Sequence, residues 1–169
     1  NWNVAANWLP AAVPTAIDTA VIDLAGTYTV TMNVNPTIAA LRISGAASGV
    51  QPVSGSARTL ALPNASSIGE QGVLTLASST VNGAGAITNL GTMNLTATSV
   101  AQALTNSGTL VVGAGSSSLS GAFSNSNGAM FRVTGAGGTS TCTIANGFTN
   151  AGAIELTSSG GGFGATLNV

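Results

Sequence analysis

The chain has 169 residues, of which 44% are hydrophobic and 4% are charged, with three Lys+Arg, four Asp+Glu and no His. Three isolated arginines in a chain of net charge −1 cannot neutralise a phosphate backbone, so nucleic-acid binding is excluded. High hydrophobicity at low net charge favours collapse over disorder. Gly, Ser, Thr or Asn interrupts every apolar run before the about 18–20 residues that a membrane-spanning helix needs, so no membrane span is predicted.

The first 45 residues differ from the rest and predict a cap that is followed by the first coils of a repeat structure. Both tryptophans, Trp2 and Trp8, lie within the first ten residues. Three β-rich runs follow, at residues 20–24, 27–32 and 37–44. Because the terminal repeat of a solenoid would otherwise expose its core and its strand edges, Trp2 and Trp8 are predicted to form the lid.

Further along the chain, one sequence motif recurs: an apolar residue, Ser/Thr-Asn, a glycine and then a short strand. Its copies are Ile87–Gly91, Leu104–Gly108, Phe123–Gly128 and Phe148–Gly152, after a degenerate copy at residues 70–72. The glycines are spaced 19, 17, 20 and 24 residues apart. Strand and turn residues repeating at this period predict an all-β fold, a single-stranded parallel β-helix. We expect one continuous domain, with residues 1–45 as cap and first coils and residues 46–169 as solenoid repeats.

Stacking of successive coils predicts ladders of equivalent side chains about 4.7–4.9 Å apart. Two apolar ladders are expected inside, namely Ile87, Leu104, Phe123 and Phe148 at strand ends, and Leu74, Met93, Leu110, Phe131 and Ile154. A third ladder of side-chain amides is expected along one edge, where Asn would also suit left-handed corners: Asn89, Asn106, Asn125 and Asn150. The glycines of the four copies of the motif are interpreted as corner residues: Gly91, Gly108, Gly128 and Gly152.

Residues that could carry chemistry are few. Without His, neither a Ser-His-Asp arrangement nor an ordinary zinc site can form. Asp18 and Asp23 are the closest carboxylate pair and are interpreted as turn and strand-edge residues, so we expect no enzyme activity, no metal and no cofactor. Thr-x-Thr does not recur at one offset in successive coils, so a flat hydroxyl array is not expected. Cys142 is alone and is interpreted as a small buried hydrophobe, with an intermolecular bridge as the alternative.

The clearest copy of the repeat is Thr-Asn-x-Gly-Thr-Leu-x-Val, at residues 105–112. With this motif the chain resembles bacterial secreted β-solenoid surface proteins of the autotransporter-passenger-like and filamentous-adhesin-like kinds. The segment Asn1–Trp8 looks like the entry segment of such arrays. The resemblance implies a right-handed coil and a location outside the cell or at its surface.

Two roles follow as expectations. Residues 163–169 still follow the repeat pattern, so the last coil is expected to present unpaired strand edges. The first role is therefore a structural extracellular subunit that associates with itself, head to tail, into a fibre or surface matrix. The alternative is an adhesin or a module that binds surface glycans through one face of the solenoid, which requires a cluster of exposed anchor residues.

Overall fold

The computed structural model describes residues 1–43 and 49–169, and it confirms the all-β parallel solenoid. Within these residues the strands, numbered β1 to β20 in chain order, form three parallel sheets that we call A, B and C. From β3 onward the chain visits A, B and C in turn, so that three consecutive strands make one coil. A single turn of 3₁₀ helix, Ala5–Asn7, precedes the first strand.

The bounds of the strands are as follows. Sheet A contains β1 (Thr19–Ile22), β3 (Ala40–Ile43), β6 (Ser66–Ile68), β9 (Ile87–Asn89), β12 (Leu104–Asn106), β15 (Phe123–Asn125) and β18 (Phe148–Asn150). Sheet B contains β2 (Val30–Met32), β4 (Gln51–Ser56), β7 (Gly72–Ala77), β10 (Thr92–Thr96), β13 (Thr109–Val112), β16 (Met130–Gly135) and β19 (Ala153–Ser158). Sheet C contains β5 (Thr59–Ala61), β8 (Thr80–Asn82), β11 (Ser99–Val100), β14 (Gly115–Leu119), β17 (Ser140–Ile144) and β20 (Ala165–Asn168).

The core lies inside the coils because alternate residues of each strand point inward. In β7, Leu74 and Leu76 are buried while Thr75 between them is exposed. The register aligns both sets of apolar residues singled out in the sequence, the first as Ile87, Leu104, Phe123 and Phe148, and the second as Leu74, Met93, Leu110, Phe131 and Ile154. Residues of the first set are the first residues of their strands in sheet A. The prediction that strands end at these residues was therefore wrong.

The corner between sheets A and B explains the recurring glycines. In the register, Gly72, Gly91 and Gly108 occupy one column. A Cβ on Gly91 would collide with the backbone oxygens of Gly69 and Gly72 in the previous coil, so no larger residue fits. In the third copy this position belongs to the buried Ala129, and Gly128 beside it has φ +79° and open space around it. Gly128 is thus a corner residue, as predicted, but it lies one position before the column that contains Gly91.

Among the described residues, those with positive φ that are not glycine lie at the corners between sheets B and C. Ala57, Ser78 and Ala97 have φ of 53°, 47° and 46° and directly follow strands β4, β7 and β10. The four ladder asparagines are the last residues of their strands and are not among the residues with positive φ. The expectation that Asn occupies left-handed corners was thus wrong. These asparagines lie within strands, where the backbone is extended, and their side-chain amides point inward.

The predicted division after residue 45 falls on residues 44–48, which lie outside the described residues. Strands on both sides of it belong to the same sheets, since β1 and β3 continue sheet A, and β2 continues sheet B. The first coil has no strand in sheet C. Instead Thr37 forms a single parallel bridge with Ala61 of β5.

Candidate association surfaces at the two ends of the solenoid

The C-terminal coil leaves its interior residues uncovered. β18, β19 and β20 are the last strands of the three sheets. Ile154 and Leu156 of β19 are 37% and 49% exposed, whereas Phe131 and Val133, their partners one coil earlier, are fully buried. The C-terminal end is therefore an apolar surface that three strand edges border, and each edge carries unpaired backbone donors and acceptors.

Beneath this surface lies a cluster of three aromatic rings. The rings of Phe123 and Phe148 stack with centroids 5.5 Å apart. Phe131 packs edge-on against both, at 5.2 Å from Phe123 and 6.4 Å from Phe148. Phe148 is half-buried, so its outer side forms part of the open end.

The N-terminal end is partly closed by the two tryptophans. Trp2 is fully buried, and its backbone N–H donates to the carbonyl oxygen of Thr31 in β2 at 2.8 Å. Trp8 is half-buried, packs edge-on against Trp2 with centroids 4.9 Å apart, and its Nε1–H donates to the Trp2 carbonyl oxygen at 2.8 Å. The segment that contains Trp2 thus covers the free edge of sheet B.

The edges of the other two sheets differ at this end. In sheet C, the N–H of Ala61 donates to the Pro36 carbonyl oxygen and the N–H of Ile38 donates to the Ala61 carbonyl oxygen, so residues 36–38 cover β5. In sheet A, β1 pairs with β3 and with no other strand among the described residues. One of three sheet edges is therefore left open at the N-terminal end.

The open edge of β1 forms a wall of a groove of about 950 Å³. Other parts of its lining come from Trp8, Leu9, Tyr28 and Val30, and the charged side chains in the lining are Asp18 and Asp23, which flank β1. Asp18 Oδ2 accepts from Thr15 Oγ1 at 2.7 Å and from Thr15 N at 2.8 Å. These hydrogen bonds, that from the Thr15 hydroxyl first, hold the pKa of Asp18 below its ordinary value.

Exposed large apolar side chains concentrate at the two ends. In the described part of the chain they are Val4, Leu9, Ile17, Val21 and Leu24 at the N-terminal end, Ile154, Leu156, Phe163 and Val169 at the C-terminal end, and Val50 and Leu90 in between. Sequence reasoning missed this distribution, because an apolar residue beside a strand has the same pattern whether it points inward or outward. The shaft between the ends presents mainly Ser, Thr, Ala, Gly and Asn.

The predicted amide ladder runs through the interior at the edge of sheet A. The Nδ2 of each Asn donates to the Oδ1 of the next: Asn89 to Asn106 at 2.7 Å, Asn106 to Asn125 at 2.8 Å and Asn125 to Asn150 at 2.8 Å. The first three are buried and Asn150 is exposed. The residue before Asn89 in this column is Ile68, and Asn89 Oδ1 is buried without a donor among the described residues.

The outer faces of sheets A and C each carry one column of aligned hydroxyls. On sheet A the register aligns Ser67, Thr88, Thr105, Ser124 and Thr149. On sheet C it aligns Thr59, Thr80, Ser99, Ser118 and Thr143, where Ser118 Oγ donates to Ser99 Oγ at 2.9 Å. The array runs across coils with one hydroxyl per coil, so a search for Thr-x-Thr along the chain could not find it.

The acidic residues and the cysteine of the described part of the chain form no cluster of metal ligands. Asp18 and Asp23 are both exposed, and no three His, Cys, Asp or Glu residues of residues 1–43 and 49–169 come together. Arg132 Nε donates to Glu155 Oε2 at 2.7 Å on the outer face of sheet B, with both side chains about 40% exposed.

Cys142 is fully buried in β17, in the column that continues to Leu167. Burial raises the pKa of its thiol to about 12. A protonated, inaccessible thiol is a poor nucleophile, so an intermolecular bridge would require this coil to open.

Comparison with known proteins gives no match, whether with family models, with curated proteins or with solved structures. No described residue belongs to a helix that is long and apolar enough to cross a bilayer. The two ends of the solenoid and its hydroxyl-bearing faces are therefore the features from which a function can be argued.

Proposed function

We propose that the protein is a structural β-solenoid subunit that associates with itself end to end to build an extracellular fibre or surface matrix. The observation that carries this proposal is the concentration of exposed large apolar side chains at both ends of the solenoid. Removal of apolar surface from water drives association, at roughly 25 cal/mol per Å² buried. Contact between ends buries these side chains, whereas contact between shafts does not.

Strand geometry supports the same arrangement. The C-terminal coil offers three parallel strand edges, and an open edge is a template for pairing with another chain. The N-terminal end offers the exposed side chains of Leu9, Ile17 and Leu24 for this contact. Contacts between unlike ends do not close on themselves, so they generate filaments rather than rings or dimers. A net charge of −1 adds little repulsion between subunits.

A location outside the cell rests on the resemblance to secreted bacterial β-solenoid surface proteins. A shaft that presents mainly hydroxyl and amide side chains and few charges is compatible with close packing of fibres into a matrix. We infer a right-handed coil from the same resemblance and from the strong preference of parallel β connections for that hand.

A matched pair of charge substitutions tests end-to-end association. Leu156, at the C-terminal end, is 49% exposed, and Leu90, on the shaft, is 47% exposed. Leu156→Asp should shift the sedimentation distribution toward the monomer, because it places a charge in the contact. Leu90→Asp should leave the distribution of the wild type unchanged. Monomeric wild-type protein at all accessible concentrations, or equal effects of the two substitutions, would refute the proposal.

Electron microscopy and fibre diffraction test the geometry of the assembly. In a fibre of end-to-end subunits the strands lie across the fibre axis, so the meridional repeat should be about 4.8 Å. Uniform filaments one solenoid wide are the expected image. Amorphous aggregates, or sheets formed by shafts side by side, would contradict the arrangement.

A second candidate is a module that binds surface glycans. The in-register hydroxyl columns on sheets A and C favour it, because they present a regular uncharged polar face. Thr105→Lys in the sheet A column should then abolish binding on a glycan array, while Thr75→Lys on sheet B should not. Dispersed monomers that bind glycans would favour this candidate over the fibre subunit.

A further inference from the structure

The groove at the N-terminal end is built to accept one strand. Residues around Trp2 cover the sheet B edge and residues 36–38 cover the sheet C edge, so among the described residues the sheet A edge alone is free. The free edge of β1 offers pairing to a single extended segment.

The backbone of β1 presents the groups that such a segment needs. The carbonyl oxygen of Asp18 accepts from the N–H of Ala39 on the β3 side. Successive peptide groups of a strand point alternately to its two sides. Thr19 and Val21 therefore direct their N–H and C=O groups away from β3, into the groove.

The residues that line the groove indicate which side chains a bound segment would need. Trp8 and Tyr28 are half-buried and Leu9 is fully exposed, so alternate apolar side chains of an added strand would gain contacts there. Both charged side chains in the lining, Asp18 and Asp23, are carboxylates at opposite ends of β1. A complementary partner carries a cation at each end of its apolar stretch.

We propose that this groove binds an extended peptide segment of another protein, which adds to sheet A beside β1 and has alternating apolar residues flanked by Lys or Arg. Strand addition of this kind takes affinity from backbone hydrogen bonds and specificity from pockets for alternate side chains. The chain itself has no Lys, and its three arginines lie within or beside strands of the solenoid. Charge thus points to a different polypeptide rather than to a second copy.

Tryptophan fluorescence tests the proposal on the separated subunit, independently of end-to-end association. The Leu156→Asp variant keeps its N-terminal end intact and serves as the receptor. Trp8 lines the groove, so its emission reports binding. A capped peptide of alternating Val and Thr with a Lys at each end should bind saturably. The same peptide with Glu in place of Lys should bind at least about tenfold more weakly.

Two variants of β1 distinguish strand addition from nonspecific adsorption. Val21→Pro removes an N–H that points into the groove and leaves the β1–β3 hydrogen bonds in place, so it should weaken peptide binding about tenfold or more. Val21→Thr, which keeps that N–H, should bind as the parent does. Asp23→Asn should weaken binding about threefold, and Glu70→Gln, in a distant coil, should not.

Three results would overturn the proposal: no binding of the Lys-flanked peptide, equal binding of the Lys-flanked and Glu-flanked peptides, or full binding by the Val21→Pro variant. A fluorescence change with a neutral cello-oligosaccharide and none with the peptide would also overturn it, and would assign the groove to sugar instead. Circular dichroism of each variant verifies that the solenoid is retained.

Discussion

The side chain of Asn106 donates from Nδ2 to Asn125 Oδ1 at 2.8 Å and to the Met130 carbonyl oxygen at 2.9 Å, and its own Oδ1 accepts from Asn89. It is fully buried. Each amide in the middle of the ladder therefore forms hydrogen bonds with the asparagines of the previous and the following coil. It also donates to a backbone carbonyl in the sheet B strand of the following coil. The ladder joins consecutive coils at the corner between sheets A and B.

Asn106→Ala should destabilise the protein by about 2–4 kcal/mol, because Asn125 Oδ1 loses its donor and Asn89 Nδ2 loses an acceptor in a buried place. In a domain of this size that corresponds to a fall in Tm of about 2–4 °C for each kcal/mol. Thermal unfolding followed by circular dichroism measures the change.

The matched control is Asn150→Ala at the exposed end of the same ladder. Its Nδ2 donates to the Gly152 carbonyl oxygen at 3.0 Å, and its Oδ1 accepts from Asn125 Nδ2 at 2.8 Å. Water can replace Asn150 at this exposed end, and Asn125 Nδ2 keeps its bond to the Ala153 carbonyl oxygen. We expect a loss below about 1 kcal/mol. Equal losses for the two substitutions would mean that burial of the amides does not decide their contribution.

The aromatic cluster gives a second prediction, which concerns packing. Phe131 is fully buried and Phe148 is half-buried. Phe131→Ala should cost about 3–5 kcal/mol, and Phe148→Ala should cost roughly half as much because one side of its ring already faces solvent. Thr149→Ala, next to Phe148 but on the outer face, should hardly change the Tm. Similar small effects at Phe148 and Thr149 would contradict the inward orientation of the ladder.

Sheets A and B could be predicted from the sequence because successive coils repeat a recognisable sequence motif there. Thr105-Asn106 and Leu110 each return in the neighbouring coils with the same chemistry, so the register follows from the alignment of copies. Physical reasoning also identifies the Trp2 segment as a cover, since covering a terminal coil removes its apolar residues and strand edges from water.

Sheet C could not be predicted as a sheet because its strands consist largely of small residues. β14, Gly115–Leu119, contains Gly and three serines, a composition that is equally typical of loops. Only its pairing with β11 and β17 makes it a strand. The open edge of β1 was likewise hidden, because whether an edge is covered depends on where residues 1–3 and 36–38 fold back.

The left-handed corners between sheets B and C give a third prediction. Ala97 has φ 46°, a conformation that costs a residue with a Cβ about 1 kcal/mol. Ala97→Gly should therefore raise the free energy of unfolding by up to about 1 kcal/mol in chemical denaturation. Ala101→Gly, at an exposed position without positive φ, should lower it slightly through greater backbone entropy of the unfolded chain. Destabilisation by both substitutions would show that Ala97 is not strained.

The last prediction concerns alkaline pH, where few groups titrate because the chain has no Lys. Burial raises the pKa of Cys142 from 9.0 to about 12, and burial also raises the pKa of Tyr28 above its ordinary value of 10.0. Above pH 9 the unfolded chain loses the Cys142 proton while the folded chain keeps it. The unfolded state then binds fewer protons, so the free energy of unfolding falls as pH rises from 9 to 12.

The slope attributable to Cys142 approaches about 1.4 kcal/mol per pH unit within that window. Urea denaturation at a series of pH values from 8 to 11, under reducing conditions, measures it. Cys142→Ala lowers the stability at every pH through its cavity but should flatten the slope, because the titrating group is gone. Tyr28→Phe is the control and should change the slope only above pH 10. A slope that Cys142→Ala leaves as steep as in the wild type would mean that the thiol ionises in the folded protein without opening the coil.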